Sequence, residues 1–284
     1  MAHVTFLGTG LIGAAMVEAA LHRGDRVTVW NRTIEKARAL APLGAKVATS
    51  PADAVRGAER VHVVLTDDAA VDAVLDPVLD AIGGAPIVDH TTSSPAATAA
   101  RHARLSARAA IYQHAPIFMS PAAARAARGT ILASGPRATF ERVEPALAAM
   151  TGKVVWLGER PDLAAAYKLF GNAAILAMVG ALADVYTLGD ALGIPPDSAR
   201  ELFSFFDPSA ALAMRAPKMA ARDWSPSFDL ATARKDVRLM IEAAPGRDLA
   251  ILPGLAARMD ALLGRGHAAD DVAVLGVDAD RSRR

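Results

Sequence analysis

Short β-type apolar runs alternate with helical segments over the first 160 residues of the chain. Eight runs are predicted as strands, at residues 3–7, 26–30, 46–48, 61–65, 86–89, 110–112, 130–133 and 153–156. Helices are predicted at about residues 11–22, after Thr33 and from Pro95, where Ser94 suits the N-cap position. This alternation predicts an α/β fold with a doubly wound, mainly parallel sheet, which the run at 153–156 would close.

The pattern becomes entirely helical after Gly158. A long alanine-rich helix is predicted over about 162–192, because Gly193 and the Pro195-Pro196 pair would end it there. Shorter helices are predicted at about 196–205, 228–243 and 251–263. We therefore expect a C-terminal all-α domain and place the boundary at Arg160-Pro161, which gives domains 1–160 and 161–284.

The apolar stretch at 169–183 contains Asn172 and is short for a membrane span. We expect a buried helix there and no membrane partner.

The composition is that of a globular protein, with 52% hydrophobic and 21% charged residues. Lys plus Arg total 31 and Asp plus Glu total 30, so the near-neutral balance gives no electrostatic reason to expect a nucleic acid partner. The absence of Cys excludes disulfides, thiolate metal sites and a cysteine nucleophile. The N-terminal sequence lacks the pattern of a secretory signal, so a cytoplasmic location is expected.

A glycine motif, Gly8-Thr9-Gly10-Leu11-Ile12-Gly13, joins the first predicted strand to the first helix. In that context Gly8 would allow a tight turn, Gly10 would let the backbone approach a pyrophosphate, and Gly13 would let the helix lie close to the strand. The N–H groups and positive dipole end of the helix would then face the phosphates. The motif therefore predicts a Rossmann domain that binds a dinucleotide.

The second strand ends in Asn31-Arg32-Thr33, where NAD-binding domains usually carry Asp or Glu to hold the ribose 2′-hydroxyl. No carboxylate is present there to repel a 2′-phosphate, and the planar guanidinium of Arg32 can bind one through two hydrogen bonds. These residues favour NADPH over NADH as the cofactor.

Three further motifs, together with the glycine turn and Asn31-Arg32, resemble those of the β-hydroxyacid dehydrogenase family, which includes 3-hydroxyisobutyrate and 6-phosphogluconate dehydrogenases. They are Asp89-His90-Thr91-Thr92-Ser93-Ser94-Pro95, Lys168-Leu169-Phe170-Gly171-Asn172, and Phe228-Asp229-Leu230 followed by Lys235-Asp236. The resemblance extends from Val4 to about Leu275. It implies an NAD(P)-dependent oxidoreductase whose helical domain carries substrate residues and forms a homodimer.

The resemblance also implies roles for particular residues. Lys168 would be the catalytic acid or base and Asn172 would help to bind the substrate. Thr92 would lie near both nicotinamide and substrate. The cofactor would also contact Leu65, Thr66 and Lys235. The spacing of four residues independently places Lys168 and Asn172 on one helix face, where desolvation can lower the pKa of the lysine. From the residues alone, a lysine that extends to solvent is equally consistent with the pattern.

The segment His114-Ala115-Pro116-Ile117-Phe118-Met119-Ser120 departs from the family pattern, which has Ser-Gly-Gly at its end to hold a substrate carboxylate. Phe118, Met119 and Ser120 are the corresponding candidates for substrate contacts here. The apolar bulk of Phe118 and Met119 makes a backbone anion site less favourable. Either the pocket takes a bulkier ketone or an imine, or both side chains pack inward and the substrate is a small acid.

Three functions remain open at this stage. The leading one is NADPH-dependent reduction of a small semialdehyde or keto acid, or oxidation of the hydroxy acid, with Lys168 as proton donor or acceptor. The second is reduction of bulkier ketones or imines, although many imine reductases lack the lysine. The third is a non-catalytic NADPH sensor. No metal site is predicted, because His90 and His114 lack the spacing and the third ligand of a metal centre.

Overall fold

The computed structural model describes residues 1–279. The chain divides into two compact units after Asn172, within its longest helix and beyond the predicted boundary at Arg160-Pro161. The first turns of that helix belong to the first unit because Ala164 and Ala165 are fully buried in it. The predicted domains 1–160 and 161–284 stay a prediction.

The first unit is built on a parallel sheet of six strands. They are β1 (His3–Leu7), β2 (Arg26–Trp30), β3 (Lys46–Val47), β4 (Arg60–Val63), β5 (Ile87–Asp89) and β6 (Tyr112–His114). Their order across the sheet is β3-β2-β1-β4-β5-β6, and every pair is parallel. This is the doubly wound order with a reversal between β1 and β4, the place where such sheets bind ligands. The predicted α/β fold is confirmed.

A second, three-stranded sheet contains β7 (Ile117–Phe118), β8 (Thr130–Ala133) and β9 (Lys153–Trp156). The prediction that residues 153–156 close the main sheet is therefore wrong. β6 lies two residues later than the predicted run at 110–112, and Pro116 follows it without an N–H group to extend the ladder. The chain then reverses so that β7 pairs antiparallel with β8, and β8 pairs parallel with β9.

Eight helices surround the two sheets. They are α1 (Leu11–His22), α2 (Ile34–Arg38), α3 (Pro51–Val55), α4 (Asp68–Leu75), α5 (Leu79–Ile82), α6 (Pro95–Ala107), α7 (Pro121–Arg125) and α8 (Arg137–Ala148). Two apolar clusters form the core of this unit. The predicted N-cap of α6 is confirmed, because the Ser94 hydroxyl accepts the Ala97 N–H at 3.1 Å.

The helix α9 (Leu163–Ala191) continues into the second unit, which contains α10 (Pro196–Phe205), α11 (Ser209–Ala221), α12 (Leu230–Ala243) and α13 (Leu252–Leu263). No strand occurs between 163 and 279, as predicted. Helix α11 was not predicted, since Pro217 lies inside it and proline usually ends a helix. The buried carboxylate of Asp184 on α9 accepts the N–H groups of Ile251 and Leu252 at 3.0 and 2.9 Å, so it caps the start of α13.

Helix α9 is long and apolar enough to cross a membrane by length and composition alone. The expected burial of this helix within the chain is wrong, because Leu176 and Val179 are 69% and 58% exposed. In its most apolar window of 18 residues, 6% of the residues are buried.

Candidate functional site

Three predicted segments leave the same edge of the main sheet. Strands β1, β4 and β5 end in register, with Leu7 opposite Val63 and Val63 opposite Asp89. The predicted residues that follow them are the glycine turn at 8–13, Leu65 with Thr66, and Thr92. The carboxyl edge of a parallel sheet is the usual place for a ligand, so the fold brings these predicted cofactor residues together.

The three glycines of the turn differ in what surrounds them. Gly8 has φ +106°, and a Cβ there would lie 2.8 Å from the Val64 carbonyl carbon. A Cβ on Gly13 would collide with the Gly8 carbonyl oxygen. A Cβ on Gly10 would meet no atom within 4 Å. Gly8 and Gly13 are therefore required by the turn itself, whereas the fold leaves open space beside Gly10, as a ligand would need.

Helix α1 begins at this turn without a side-chain cap. Its first N–H groups are free to bind an anion, because Gly10 has no side chain to accept them. Leu11 is 84% exposed at the start of the helix, and the neighbouring Ile12 packs against the core. The Thr9 N–H donates to Asn31 Oδ1 at 3.0 Å, so the end of β2 holds the turn in place.

A cavity of about 570 Å³ lies beside the end of β2. Arg32 and Arg38 line it together with Trp30, Asn31, Ile34, Ala41, Val47 and Thr49. Two guanidinium groups and no carboxylate face this space, which fits the ribose 2′-phosphate of NADPH. The sequence had pointed to Arg32 and missed Arg38. Thr33, the third predicted residue of this segment, is exposed and is the N-cap residue of α2.

The segment after β5 turns one threonine inward and one outward. The buried Asp89 carboxylate accepts the Thr91 N–H at 2.9 Å, and the Thr91 hydroxyl accepts the Leu65 N–H at 3.1 Å. These bonds fix the loops after β4 and β5 to each other. Thr92 and Thr66 are exposed at the same edge, so both are free to contact a cofactor.

The start of α9 is held by a serine that follows β8. The Ser134 hydroxyl accepts the Ala164 N–H at 2.8 Å and donates to the Pro161 carbonyl at 3.0 Å. Ala165 is fully buried one residue later. Lys168 therefore lies on a fixed second turn of the helix, half-buried. Burial lowers the pKa of its ammonium group from the usual 10.5.

The aromatic ring of Phe118 lies beneath Lys168. The Lys168 Nζ is 4.2 Å from the ring centroid. Gly171 provides the room for this ring, since a Cβ there would come within 2.7 Å of Phe118 Cε1. The sequence analysis did not predict this requirement for glycine at position 171 within the lysine motif. The only available signal was a glycine in the middle of a helix, a position where glycine is costly.

The other predicted substrate residues are placed differently. Asn172 is half-buried one turn after Lys168 on the same helix. Met119 packs against the first apolar cluster of the core. The exposed Ser120 caps α7, since its hydroxyl accepts the Ala123 N–H at 3.2 Å. Lys235 is exposed on α12 in the second unit, and its Nζ is 2.9 Å from Asp236 Oδ1.

A row of buried polar groups crosses the main sheet. Arg60 Nε donates to His62 Nε2 at 2.8 Å, His62 Nδ1 lies 2.9 Å from His90 Nε2, and His90 Nδ1 lies 2.7 Å from the Ala115 carbonyl oxygen. Phe6 stacks on the His62 ring with centroids 4.7 Å apart. Burial lowers the pKa of His62 well below its usual value and that of His90 to about 4, so both rings are neutral.

Known proteins of similar sequence match most of the chain. A family model for the NAD-binding domain of 6-phosphogluconate dehydrogenase matches residues 3–158. Glyoxylate/succinic semialdehyde reductase 1 of Arabidopsis thaliana is 29% identical over 243 residues, which cover 84% of this chain and 84% of that protein. The 3-sulfolactaldehyde reductase of Escherichia coli is 27% identical over 250 residues, which cover 86% of this chain and 84% of that protein.

The same fold is found in solved structures. An imine reductase from Myxococcus stipitatus in complex with NADP⁺ superposes with a TM-score of 0.89 at 22% identity, and the match covers 98% of this chain and 100% of that one. The family model covers more than half of the chain and includes the glycine turn. The chain therefore belongs to the β-hydroxyacid dehydrogenase family, with the NAD-binding domain of 6-phosphogluconate dehydrogenase, and is an oxidoreductase that binds a nicotinamide dinucleotide.

Proposed function

We propose that the protein is an NADPH-dependent reductase of a small semialdehyde or keto acid, with Lys168 as the proton donor. The observation that carries the proposal is the half-buried Lys168 ammonium on a turn of α9 that Ser134 holds in place. Among residues 1–279, no carboxylate lies within 4.0 Å of its Nζ. An ammonium group without a carboxylate partner can give its proton to a substrate oxygen.

The reaction needs a hydride and a proton. NADPH supplies the hydride to the carbonyl carbon when it is bound. Lys168 Nζ donates a proton to the carbonyl oxygen as negative charge develops there, so that the product is an alcohol and the lysine is left neutral. Asn172, one turn later, offers an amide to orient the substrate. In the oxidative direction the neutral lysine accepts the hydroxyl proton.

The preference for NADPH rests on the cavity that Arg32 and Arg38 line. Arg32→Ala is expected to weaken NADPH binding about tenfold or more, since a guanidinium–phosphate hydrogen bond contributes about 1.5–3 kcal/mol. NADH binding should hardly change, because NADH has no 2′-phosphate. Fluorescence titration with both cofactors measures the ratio of the Kd for NADH to the Kd for NADPH. Arg38→Ala should lower this ratio, as Arg32→Ala does. An equal loss for both cofactors would contradict the assignment.

A substrate panel tests the reductase itself. NADPH oxidation is followed with glyoxylate, succinic semialdehyde, 3-sulfolactaldehyde, bulky ketones and cyclic imines. Turnover of the small aldehydes is the expected result, because relatives that match over most of their length carry the names of aldehyde reductases. If NADPH binds and no compound is reduced, the proposal fails and the role of a non-catalytic NADPH sensor takes its place.

One observation favours a second candidate, the reduction of bulkier ketones or imines. Phe118 stands where family members carry small polar residues, and its ring lies 4.2 Å from Lys168 Nζ. An apolar wall at this point suits a substrate without a carboxylate. Turnover of the ketones or imines alone in the same panel would support this second candidate over the first.

We also propose that two copies of the chain form a homodimer through the helices of the second unit. Large apolar side chains are exposed on α9 and α11, among them Ile175, Leu176, Met178, Val179, Leu212 and Met214. An apolar surface of this kind marks an interface. Light scattering in detergent-free buffer should give twice the mass of one chain. A monodisperse monomer, or material that stays in solution only with detergent, would contradict the proposal.

A further inference from the structure

A second cluster of positive charge lies at the opposite edge of the main sheet from the glycine turn. Arg23 follows α1 and Arg60 is the first residue of β4, which places both at the amino ends of the parallel strands. Arg142 on α8 joins them around a cavity of about 490 Å³, called here the arginine cavity. Asp25, Pro145, Ala146 and Ala149 complete its lining.

The residues that line the arginine cavity carry an excess of positive charge. Asp25 is its one lining carboxylate, and it lies 3.8 Å from Arg23 while also accepting the Ala2 N–H at 3.2 Å. Within residues 1–279, no carboxylate oxygen lies within 4.0 Å of a guanidinium nitrogen of Arg60 or Arg142. Three guanidinium groups and one carboxylate in the lining thus leave two positive charges in excess, which Glu59 beside Arg60 offsets in part.

Burial makes this excess costly. It lowers the pKa of the Arg23 guanidinium, and that of Arg60 as well. Asp25 and Glu59 raise the pKa of Arg60 in part, and the charge of Arg23 lowers it. Partly buried like charges repel each other, and an anion that bound between them would remove the repulsion.

Arg60 is also held in position before any ligand binds. Its Nε donates to His62 Nε2 at 2.8 Å, and His62 is fully buried and stacked on Phe6. This bond fixes the plane of the guanidinium group and leaves its two terminal NH₂ groups for a ligand. A guanidinium that is already ordered loses little entropy on binding, which favours affinity.

We propose that the arginine cavity binds a small phosphate-bearing molecule. Planar guanidinium groups match the geometry of phosphate oxygens, and the volume lies within the usual range for small-molecule sites. Pro145, Ala146 and Ala149 form an apolar wall that suits the carbon skeleton of a phosphate ester. The site is separate from the cofactor site, because the glycine turn and Arg32 follow the carboxyl ends of β1 and β2.

Calorimetric titration of the full-length protein tests the proposal. Saturating NADP⁺ first fills the cofactor site, and inorganic phosphate and glycerol 3-phosphate are then titrated separately. One saturable site per chain is the expected result. Tighter binding of glycerol 3-phosphate would identify a phosphate ester as the preferred ligand class, and tighter binding of inorganic phosphate would identify the free anion. Equal binding would support a site that contacts the phosphate group alone. No saturable binding of either probe at millimolar concentrations overturns the proposal.

Arg142→Glu is the informative variant. Arg142 is exposed, so the reversal of its charge should leave the fold intact while weakening phosphate binding about tenfold or more. Arg56→Glu makes the same charge change on the surface outside the arginine cavity and should leave the affinity as it was. Equal affinities in the two variants would place the bound phosphate elsewhere and overturn the proposal.

Discussion

Lys168→Met is expected to lower kcat for carbonyl reduction about a thousandfold, because a positioned general acid contributes about 10²–10⁴ to the rate. The methionine fills a similar volume, and the fold around it rests on Ser134 and the buried Ala164 rather than on the ammonium group. NADPH affinity should be unchanged, since the predicted cofactor residues of the first unit lie on other segments. Steady-state kinetics and NADPH titration together separate loss of catalysis from loss of binding.

Lys153→Met is the matched control. Lys153 is exposed at the start of β9, and its replacement removes the same charge from the same unit. Full activity of this control and loss of activity in Lys168→Met would identify Lys168 as the group that donates the proton to the carbonyl oxygen. If Lys168→Met kept the activity of the unchanged protein, another group would donate the proton and the proposed mechanism would be wrong.

The pH profile gives a second measure of the same lysine. Reduction needs the ammonium form, so kcat for reduction should fall as pH rises through the pKa of Lys168. Burial places that pKa below 10.5, which brings the fall to a lower pH than an exposed lysine would show. Oxidation of the alcohol needs the neutral amine and should rise over the same interval. Profiles that run parallel in both directions would contradict this assignment.

Gly10→Val is expected to raise the Kd for NADPH about a hundredfold without lowering the melting temperature. Gly10 has φ −67° and ψ −171°, a conformation that any residue adopts, and a Cβ there meets no protein atom within 4 Å. The fold therefore tolerates the side chain. The isopropyl group would occupy the space that the pyrophosphate must enter. The pyrophosphate would then lose its hydrogen bonds to the free N–H groups of α1.

Gly254→Val provides the comparison for this variant. A Cβ on Gly254 in α13 also meets no atom within 4 Å, so it tests a glycine with open space away from the turn. Circular dichroism gives the melting temperature of each variant, and fluorescence titration gives its Kd for NADPH. Unchanged NADPH affinity in Gly10→Val would mean that the pyrophosphate does not approach this turn.

Local signals carried most of the fold prediction. The glycine motif directly follows the strand β1. Its turn requires glycine at positions 8 and 13 because a Cβ there would collide with backbone atoms, and the motif has glycine at both positions. Helix α9 was predicted to within one residue at each end, because Gly193 and the proline pair limit it. Such features depend on the backbone preferences of a few neighbouring residues, which a sequence displays directly.

Non-local packing accounts for what could not be predicted. The second sheet depends on β7 meeting β8 at residues 117 and 131, and no local pattern specifies that partner. The contact between Phe118 and Gly171 joins positions far apart in the sequence. The apolar surface of α9 misled the sequence analysis, because a helix rich in Ala and Leu shows the same pattern whether its own chain or a second molecule covers it. The cofactor and substrate roles of the site residues, the homodimer and the cytoplasmic location stay predictions.

The hydrogen bonds in the row from Arg60 to Ala115 all donate in one direction, which their distances alone do not show. Arginine can only donate and a backbone carbonyl can only accept, so His62 carries its proton on Nδ1 and gives it to His90 Nε2, and His90 carries its own on Nδ1. Reversal of this order would require a neutral arginine or a protonated carbonyl. The two imidazoles therefore act as aligned, permanent dipoles across the sheet, and the row conducts no protons from one edge to the other.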